Sequence, residues 1–376
     1  MGVKLRLREL KYPVHPRPNP IAAALYMLRD LGCDAVVLHG PSGCNFRALR
    51  LLERDGVKVF TTAMSEMDVV MGGERKLVEV LRAVYEDYKP RLIGVVGTCC
   101  TSIIGEDVED EVERANLPVK VIAVNVSACI GDNVDGALRA LRAALKVGVI
   151  SEAEFERQKV VLRRAAEVER VRGVAISGYV EPSEGDDVHE VAKLIIDCLR
   201  ERRVVAVLNA KKETAYLYSD VILALKQVKE GLSLSGELIV LANLRFDVGL
   251  PKVRADAQRI LSELRANGVE VDYLTGGLDE YALSREKVSE ALKSIGGFDL
   301  SIALGIPQAL PVELLGRSIG VSSGNRTMSR LRALGYFKVV NEEDAHISVL
   351  GRRRIVESRL GKALRAEAHL RSERLG

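Results

Sequence analysis

Arg91-Leu92-Ile93-Gly94-Val95-Val96-Gly97-Thr98-Cys99-Cys100-Thr101-Ser102-Ile103-Ile104-Gly105-Glu106-Asp107 reads as an apolar strand running into small residues, two thiols and a polar turn with two acids. A strand of that kind presents its cysteine at the carboxyl end, the edge where open α/β sheets place their sites. Well upstream, a second strand, Ala35-Val36-Val37-Leu38, ends in His39-Gly40-Pro41-Ser42-Gly43-Cys44. Two strand ends therefore each offer one thiol.

Outward from these two stretches, strand and helix patterns alternate along the whole chain, the signature of doubly wound parallel sheets. Strands are expected around Val57–Thr62, Val119–Val126, Val174–Tyr179, Val204–Asn209, Glu237–Asn243, Val269–Leu274 and Leu300–Leu304, with helices between them and a long arginine-rich helix after Ser348. The rhythm fits three Rossmann-like domains with parallel sheets: residues 1–150 carrying both thiols, 151–235, and 236–376 with the terminal helix. A proline-rich arm, Lys11 to Pro20, precedes the first helix.

At 376 residues the chain is too long for one ordinary core. Basic and acidic residues nearly balance, 55 against 52, so no electrostatic footprint for nucleic acid stands out. Arg352-Arg353-Arg354 reads as a solvated helix face. Met1 to Arg17 is charged throughout, unlike a secretory signal, and the apolar stretch Leu92 to Gly105 is shorter than the ~20 residues of a spanning helix. A cytoplasmic protein without membrane contact is expected.

Neither GxGxxG nor GxxxxGK[ST] occurs, so any ATP used is expected on another protein. HExxH and G-x-S-x-G are absent as well. The chemistry falls on cysteine. Cys44 and Cys99 are each placed where a helix start follows a strand, a position that favours thiolate. Iron-sulfur clusters usually take four thiolates, and a two-fold homodimer contributing Cys44 and Cys99 twice would supply four around one 4Fe-4S cluster. The bland alternative is that both are small buried residues at strand-helix junctions.

Four motifs then carry a resemblance: His39-Gly40-Pro41-x-Gly43-Cys44, Glu66-x-Asp68-x-Val70-x-Gly72-Gly73-x-x-Lys76-Leu77, Thr98-Cys99-x-x-x-Ile103-Ile104-Gly105-Glu106-Asp107, and Cys129-x-Gly131. In order and spacing they resemble the nitrogenase component 1 family; beyond Lys146 the match is architectural. The resemblance implies Cys44 and Cys99 as ligands of an electron-receiving cluster, and docking by a nitrogenase-reductase-like, ATP-hydrolysing iron-sulfur partner. Nitrogenase proper has a further cluster cysteine upstream, where this chain has Arg17-Pro18-Asn19, and no later cysteine suits an iron-molybdenum cofactor, since Cys198 lies inside a helix. A short chain with two cluster cysteines is most similar, within that family, to the catalytic subunits of Ni-sirohydrochlorin a,c-diamide reductive cyclases. This implies a nickel tetrapyrrole as substrate, ring reduction with closure of a lactam on the way to coenzyme F430, and a homodimer. A protochlorophyllide-type reductase subunit and a non-catalytic scaffold for metal-cofactor assembly stay open beside it.

Secondary candidates follow from placement. Cys100 adjoins Cys99 but, as a strand neighbour, points to the opposite face. Cys33 is expected in the core, and Cys129 lies on the correct edge at a family position not taken as a ligand. His39 is a candidate for holding the cluster loop, His15 and Arg17 for reaching substrate from the arm, and Lys211, Lys212, Arg245 and Arg326 for gripping substrate carboxylates. Glu106 and Asp107 are read as caps of the next helix or as part of the face toward the reductase.

Overall fold

Four parallel strands order the first part of the chain: β1 (Ala35–His39), β2 (Lys58–Thr61), β3 (Leu92–Gly97) and β4 (Lys120–Val124), arranged β2-β1-β3-β4. The computed structural model describes residues 19–129, 131–172, 181–343 and 345–373. The arm with His15 and Arg17, and the strand expected at Val174–Tyr179, fall largely outside them. Every residue of β1 is buried, and β3 is buried from Ile93 on. Such near-continuous apolar runs are what a parallel sheet covered on both faces requires. One face packs Val37, Ile93 and Val95 against Leu77, Leu81 and Val84 of the helix Glu74–Tyr88 and Val108 of the helix Val108–Ala115.

A second sheet of six parallel strands contains β5 (Val204–Asn209), β6 (Leu238–Ala242), β7 (Tyr273–Leu274), β8 (Leu300–Gly305), β9 (Ser318–Ser322) and β10 (Lys338–Asn341), in the order β10-β9-β8-β5-β6-β7. Its core joins Val205, Val207, Leu241 and Ala303 to Met328, Leu331 and Val339. The chain thus divides into two compact units, residues 1–178 with 250–252, and residues 179–249 with 253–376. The α/β class with parallel sheets holds, but the expected boundary at 235/236 does not. β5 pairs directly with both β6 and β8, Val204 lying opposite Leu238 and Leu300, so one sheet spans both expected domains.

Several local readings change. β9 and β10 were not anticipated, because four- and five-residue strands with serine at both ends of β9 carry little apolar pattern. The expected terminal helix is two helices, Ala345–Val349 and Arg359–Glu373. Between them Gly351 takes a φ of +74°, and Arg352-Arg353-Arg354 lie exposed outside any helix. The second helix restarts where Ser358 bonds the buried Asp220 through its N–H and hydroxyl, at 2.7 and 2.8 Å.

Candidate functional site

The strand order β2-β1-β3-β4 reverses its direction of winding between β1 and β3, so the crevice at their carboxyl ends is a topological switch point. The register places His39 opposite Gly97 and Val96 opposite Val124. The segments leaving β1, β3 and β4 therefore start level with one another. They carry Cys44, Cys99 with Cys100, and Cys129. Glycine lets two of them touch: a Cβ on Gly40 would stand 2.4 Å from Thr98 Oγ1 and 2.6 Å from its Cγ2. Without a side chain at residue 40 the Cys44 loop lies directly against the residue preceding Cys99.

The thiols differ in environment. Cys44 is half-buried, its N–H donating to Pro41 O at 3.0 Å. Burial pushes its thiol pKa up, against a hydrogen bond from Asn45 Nδ2 at 3.5 Å; the Cys99 and Cys100 sulfurs add to the rise. The expected preference of Cys44 for thiolate is thus opposed, because burial outweighs the Asn45 bond; Asn45, in the left-handed region, stands between Cys44 and the helix that begins at Phe46. Cys99 behaves as anticipated for a different reason. Burial opposes its ionisation, but Ser127, the Ala128 N–H at 3.2 Å and Cys129 all hydrogen-bond the sulfur and hold its pKa below the usual thiol value.

Cys129 Sγ stands 3.6 Å from Cys99 Sγ, so the residue set aside in the sequence is the nearest thiol contact of Cys99. Cys100 is not a strand neighbour of Cys99, since both sit in the helix Cys99–Ile104. Its thiol is pushed up by burial, then by the charge of Glu106. Cys33 is buried in the core as expected, and Cys198 is half-buried on the helix Val188–Leu199.

Beneath this edge lies a buried polar cluster. His39, fully buried, has Nδ1 2.9 Å from Thr62 Oγ1 and Nε2 3.0 Å from Glu106 Oε2. The other Glu106 oxygen accepts the Gly73 N–H. Glu111, with 1% of its side chain exposed, brings Oε2 within 3.4 Å of His39 Nε2, and neither of its oxygens has a hydrogen-bond partner. Burial, reinforced by the charge of Glu106, pushes Glu111 up to about 8, while burial depresses His39 against the pull of Glu106. Asp107, not Glu106, caps the next helix, accepting from the Glu109 N–H at 2.9 Å. Glu111 escaped the sequence reading, although a signal existed: Val108, Glu111, Val112 and Ala115 recur at i, i+3, i+4 and i+7, which puts a carboxylate on the helix's inner stripe.

The motif Glu66-x-Asp68 to Lys76 builds a support. What reads as a plain turn contains a short helix, Glu66–Met71, started by Ser65, whose N–H donates to Asp68 Oδ2 at 2.6 Å while its hydroxyl accepts from the Asp68 N–H at 3.3 Å. Lys76 Nζ closes the arrangement 2.8 Å from Asp68 Oδ2, which with the Ser65 bonds holds that carboxyl well below the usual range. This helix packs on the Cys99–Ile104 helix, yet Met67, Val70 and Met71 on one and Ile103 on the other face solvent, as does Phe46 beside Cys44. An apolar collar flanks the thiol-bearing edge.

In the second unit, Lys212 is buried and ion-paired with Glu280 at 2.9 Å, Arg245 pairs with Asp247, and the backbone of Lys211 forms an isolated parallel β-bridge with that of Asp279. A buried, neutralised Lys212 does not serve as the expected carboxylate grip. Arg326 is exposed at the start of the helix Asn325–Ala333.

A family model described as nitrogenase component 1 type oxidoreductase matches residues 20–208, the span that holds all four motifs and the thiol edge. The chain belongs to that family. Among its nitrogenase-like relatives, the Ni-sirohydrochlorin a,c-diamide reductive cyclase complex component CfbD of Methanothermobacter thermautotrophicus is 49% identical over 94% of this chain and 98% of its own length. The components of the same name from Methanosarcina acetivorans and Methanocaldococcus jannaschii are 43% and 45% identical, over 94% and 93% of this chain and 97% and 98% of theirs. Likeness along nearly the whole length separates these relatives from the nitrogenase molybdenum-iron protein alpha chain of Clostridium pasteurianum, which is 32% identical over 27% of this chain and 22% of its own length. Among the described residues no helix is long and apolar enough to cross a membrane.

Proposed function

We propose that the chain is the catalytic subunit of a reductive cyclase acting on Ni-sirohydrochlorin a,c-diamide, reducing the nickel tetrapyrrole and closing its lactam ring to give the seco precursor of coenzyme F430. The observation that carries this reading is the Cys44/Cys99 edge at the first switch point, in a chain that is similar end to end to components of that cyclase. Cys44 and Cys99 fit as holders of a 4Fe-4S cluster. Cys99 is biased to thiolate and both sulfurs are partly accessible; with Cys100 and Cys129 given no ligand role, the pair supplies two of the four ligands a cluster takes. The apolar collar of Phe46, Met67, Val70, Met71 and Ile103 is a surface that a second copy would cover, bringing the remaining two thiolates.

When bound, the cluster supplies one-electron transfer. The chain's own residues position it: the Cys129 and Ser127 groups and the Ala128 N–H donate to Cys99 and disperse its charge. Electrons would come from a nitrogenase-reductase-like iron-sulfur protein that binds and hydrolyses ATP, since this chain carries no phosphate-binding loop. A cytoplasmic setting suits that partnership.

The test is iron, acid-labile sulfide and EPR on the anaerobically purified protein. About four irons per dimer are expected, lost in Cys44→Ala or Cys99→Ala and retained in Cys100→Ala and Cys129→Ala. Reductase- and ATP-dependent consumption of nickel sirohydrochlorin diamide should follow the iron content. Iron retained in both Cys44→Ala and Cys99→Ala overturns the ligand assignment; a loaded homodimer that binds the tetrapyrrole without turning it over returns the scaffold reading.

A further inference from the structure

His39, Glu106 and Glu111 come from three separate elements, the end of β1, the turn after the Cys99–Ile104 helix, and the helix Val108–Ala115, yet present one ligand atom each within 4.8 Å of one another. Their hydrogen bonding admits a cation in one tautomer of the ring. His39 Nδ1 faces Thr62 Oγ1 at 2.9 Å, and that oxygen also accepts the Gly40 N–H at 3.0 Å. With the ring proton on Nδ1, the Nε2 lone pair points at carboxylate oxygens 3.0 and 3.4 Å away. Lone pairs do not face one another at that distance without a shared proton or a cation between them. Glu111 makes a demand of its own: ionised, it would be a carboxylate 99% shielded from water with no donor on either oxygen, so it is held either as the neutral acid or by a cation.

We propose that His39 Nε2, Glu106 Oε2 and a Glu111 carboxylate oxygen form a binding site for a divalent first-row cation. Bonds of 2.0–2.2 Å to a four-coordinate ion place its ligand atoms about 3.3 Å apart, and the two measured edges, 3.0 and 3.4 Å, bracket that spacing. One neutral imidazole and two carboxylates neutralise a dication, and this mixed nitrogen-oxygen set suits Mn²⁺, Fe²⁺ or Zn²⁺ rather than a soft, thiophilic ion. The surrounding bonds are those that orient metal ligands: Thr62 Oγ1 holds the Nδ1 side of the imidazole, and the Gly73 N–H holds the second Glu106 oxygen. Entry is short, because Glu106 Oε1 lies 3.7 Å from where a Cβ on the exposed Gly72 would stand. The ion's place is structural. It ties the strand end that leads to Cys44 to the turn that follows Cys99 and to the helix behind both, without touching either sulfur.

Mn²⁺ tests this site apart from the thiols, since it favours nitrogen and oxygen donors over thiolate. The anaerobically purified full chain is titrated with Mn²⁺ while the six-line EPR signal of the free ion is followed, for wild type, the Cys44→Ala/Cys99→Ala double variant and Glu111→Gln. One Mn²⁺ per chain is expected in wild type and in the double cysteine variant, with at least tenfold weaker binding in Glu111→Gln. Nitrogen ENDOR on the wild-type complex should show one imidazole nitrogen, a readout that stands even if Glu111→Gln folds poorly. Absence of Mn²⁺ binding in wild type, equal binding in Glu111→Gln, or an all-oxygen ENDOR spectrum overturns the proposal. Iron-sulfur loading is measured on the same samples, so failure of the cysteine assignment reads out separately.

Discussion

The two sheets are wound alike and finished differently. Each reverses direction once, between β1 and β3 in the first and between β5 and β8 in the second, and each therefore opens one crevice at its carboxyl edge. In the second, Asn209, Asn243 and Ser284 are buried and satisfy one another and the backbone: Ser284 donates to Asn209, Asn209 Nδ2 to Ile306 O at 3.2 Å, and Asn243 makes two bonds to Ala210 at 2.8 and 2.9 Å. Lys212 and Glu280 neutralise each other beside them. In the first, Cys44 and Cys99 stand half-exposed, held by a few contacts and bordered by apolar side chains that nothing in the unit covers. Topology sets where a site can be; the side chains at the strand ends decide whether that place is closed internally or left for a ligand.

The sharpest break of this contrast exchanges chemistry for stability. Replacing both thiols, Cys44→Ala/Cys99→Ala, should abolish iron binding, yet the metal-free variant should melt within about 2–4 °C of metal-free wild type, because half-exposed substitutions away from the core change stability by less than about 1 kcal/mol. Differential scanning calorimetry of the two apo proteins checks it. A collapse of the fold would mean that the thiols are core residues after all.

The opposite result is expected at the second crevice. Lys212→Ala takes from Glu280, 3% exposed, the cation 2.9 Å away that balances its buried charge, and should cost about 3–5 kcal/mol in urea denaturation. Lys212→Met with Glu280→Leu, which removes both charges, should recover most of that loss. Equal losses in the single and double variants would show that the pair's wider contacts, not its charge balance, close this crevice.

A smaller effect is expected where the first crevice is assembled. Gly40→Ala drives a methyl into Thr98 and should cost about 1–3 kcal/mol, the usual penalty of overpacking. Thr98→Ala in the same chain should restore much of it, since the atoms nearest the added methyl all belong to the Thr98 side chain. Iron content should follow the same order. A double variant no more stable than Gly40→Ala would locate the strain elsewhere in the loop.

The sequence reading reached the first sheet more completely than the second, for a physical reason. Residues 35–124 alternate long apolar strands with well-marked helices, and glycine-rich turns fix each boundary, so pattern and topology agree. Division of the second unit depends on which strands pair, and β5 joining β6 to β8 leaves no mark in local periodicity. At the site, Cys44 and Cys99 were legible as thiols at strand ends. What surrounds them was less so: Cys129 approaches Cys99 only through the pairing of β3 with β4, and Glu111 meets His39 across 72 positions of chain. The thiolate bias expected of Cys44 fails because the thiol is half-buried, which local pattern does not reveal.

The smallest effect tests the join between the thiol helix and the one behind it. Asp107 accepts from Asn125 Nδ2 at 2.7 Å, from the end of β4, and from the Glu109 N–H at 2.9 Å, and these bonds, the Asn125 bond foremost, hold its carboxyl below the usual value. A depressed pKa means that the folded state prefers the ionised form. Its stabilisation is therefore present above the unfolded value of about 3.9 and lost as pH falls through the lower folded value. At neutral pH Asp107→Ala should cost about 1 kcal/mol, the typical worth of a helix N-cap, and the gap to wild type should narrow on acidification. Asp107→Asn should keep a cap without the charge and show a flatter acid limb. Urea midpoints at neutral and acid pH distinguish these outcomes. A gap that stays constant with pH would make Asp107 a packing residue, the helix behind the first crevice then being joined to β4 through the Val108 N–H bond to Asn125 and through its apolar face.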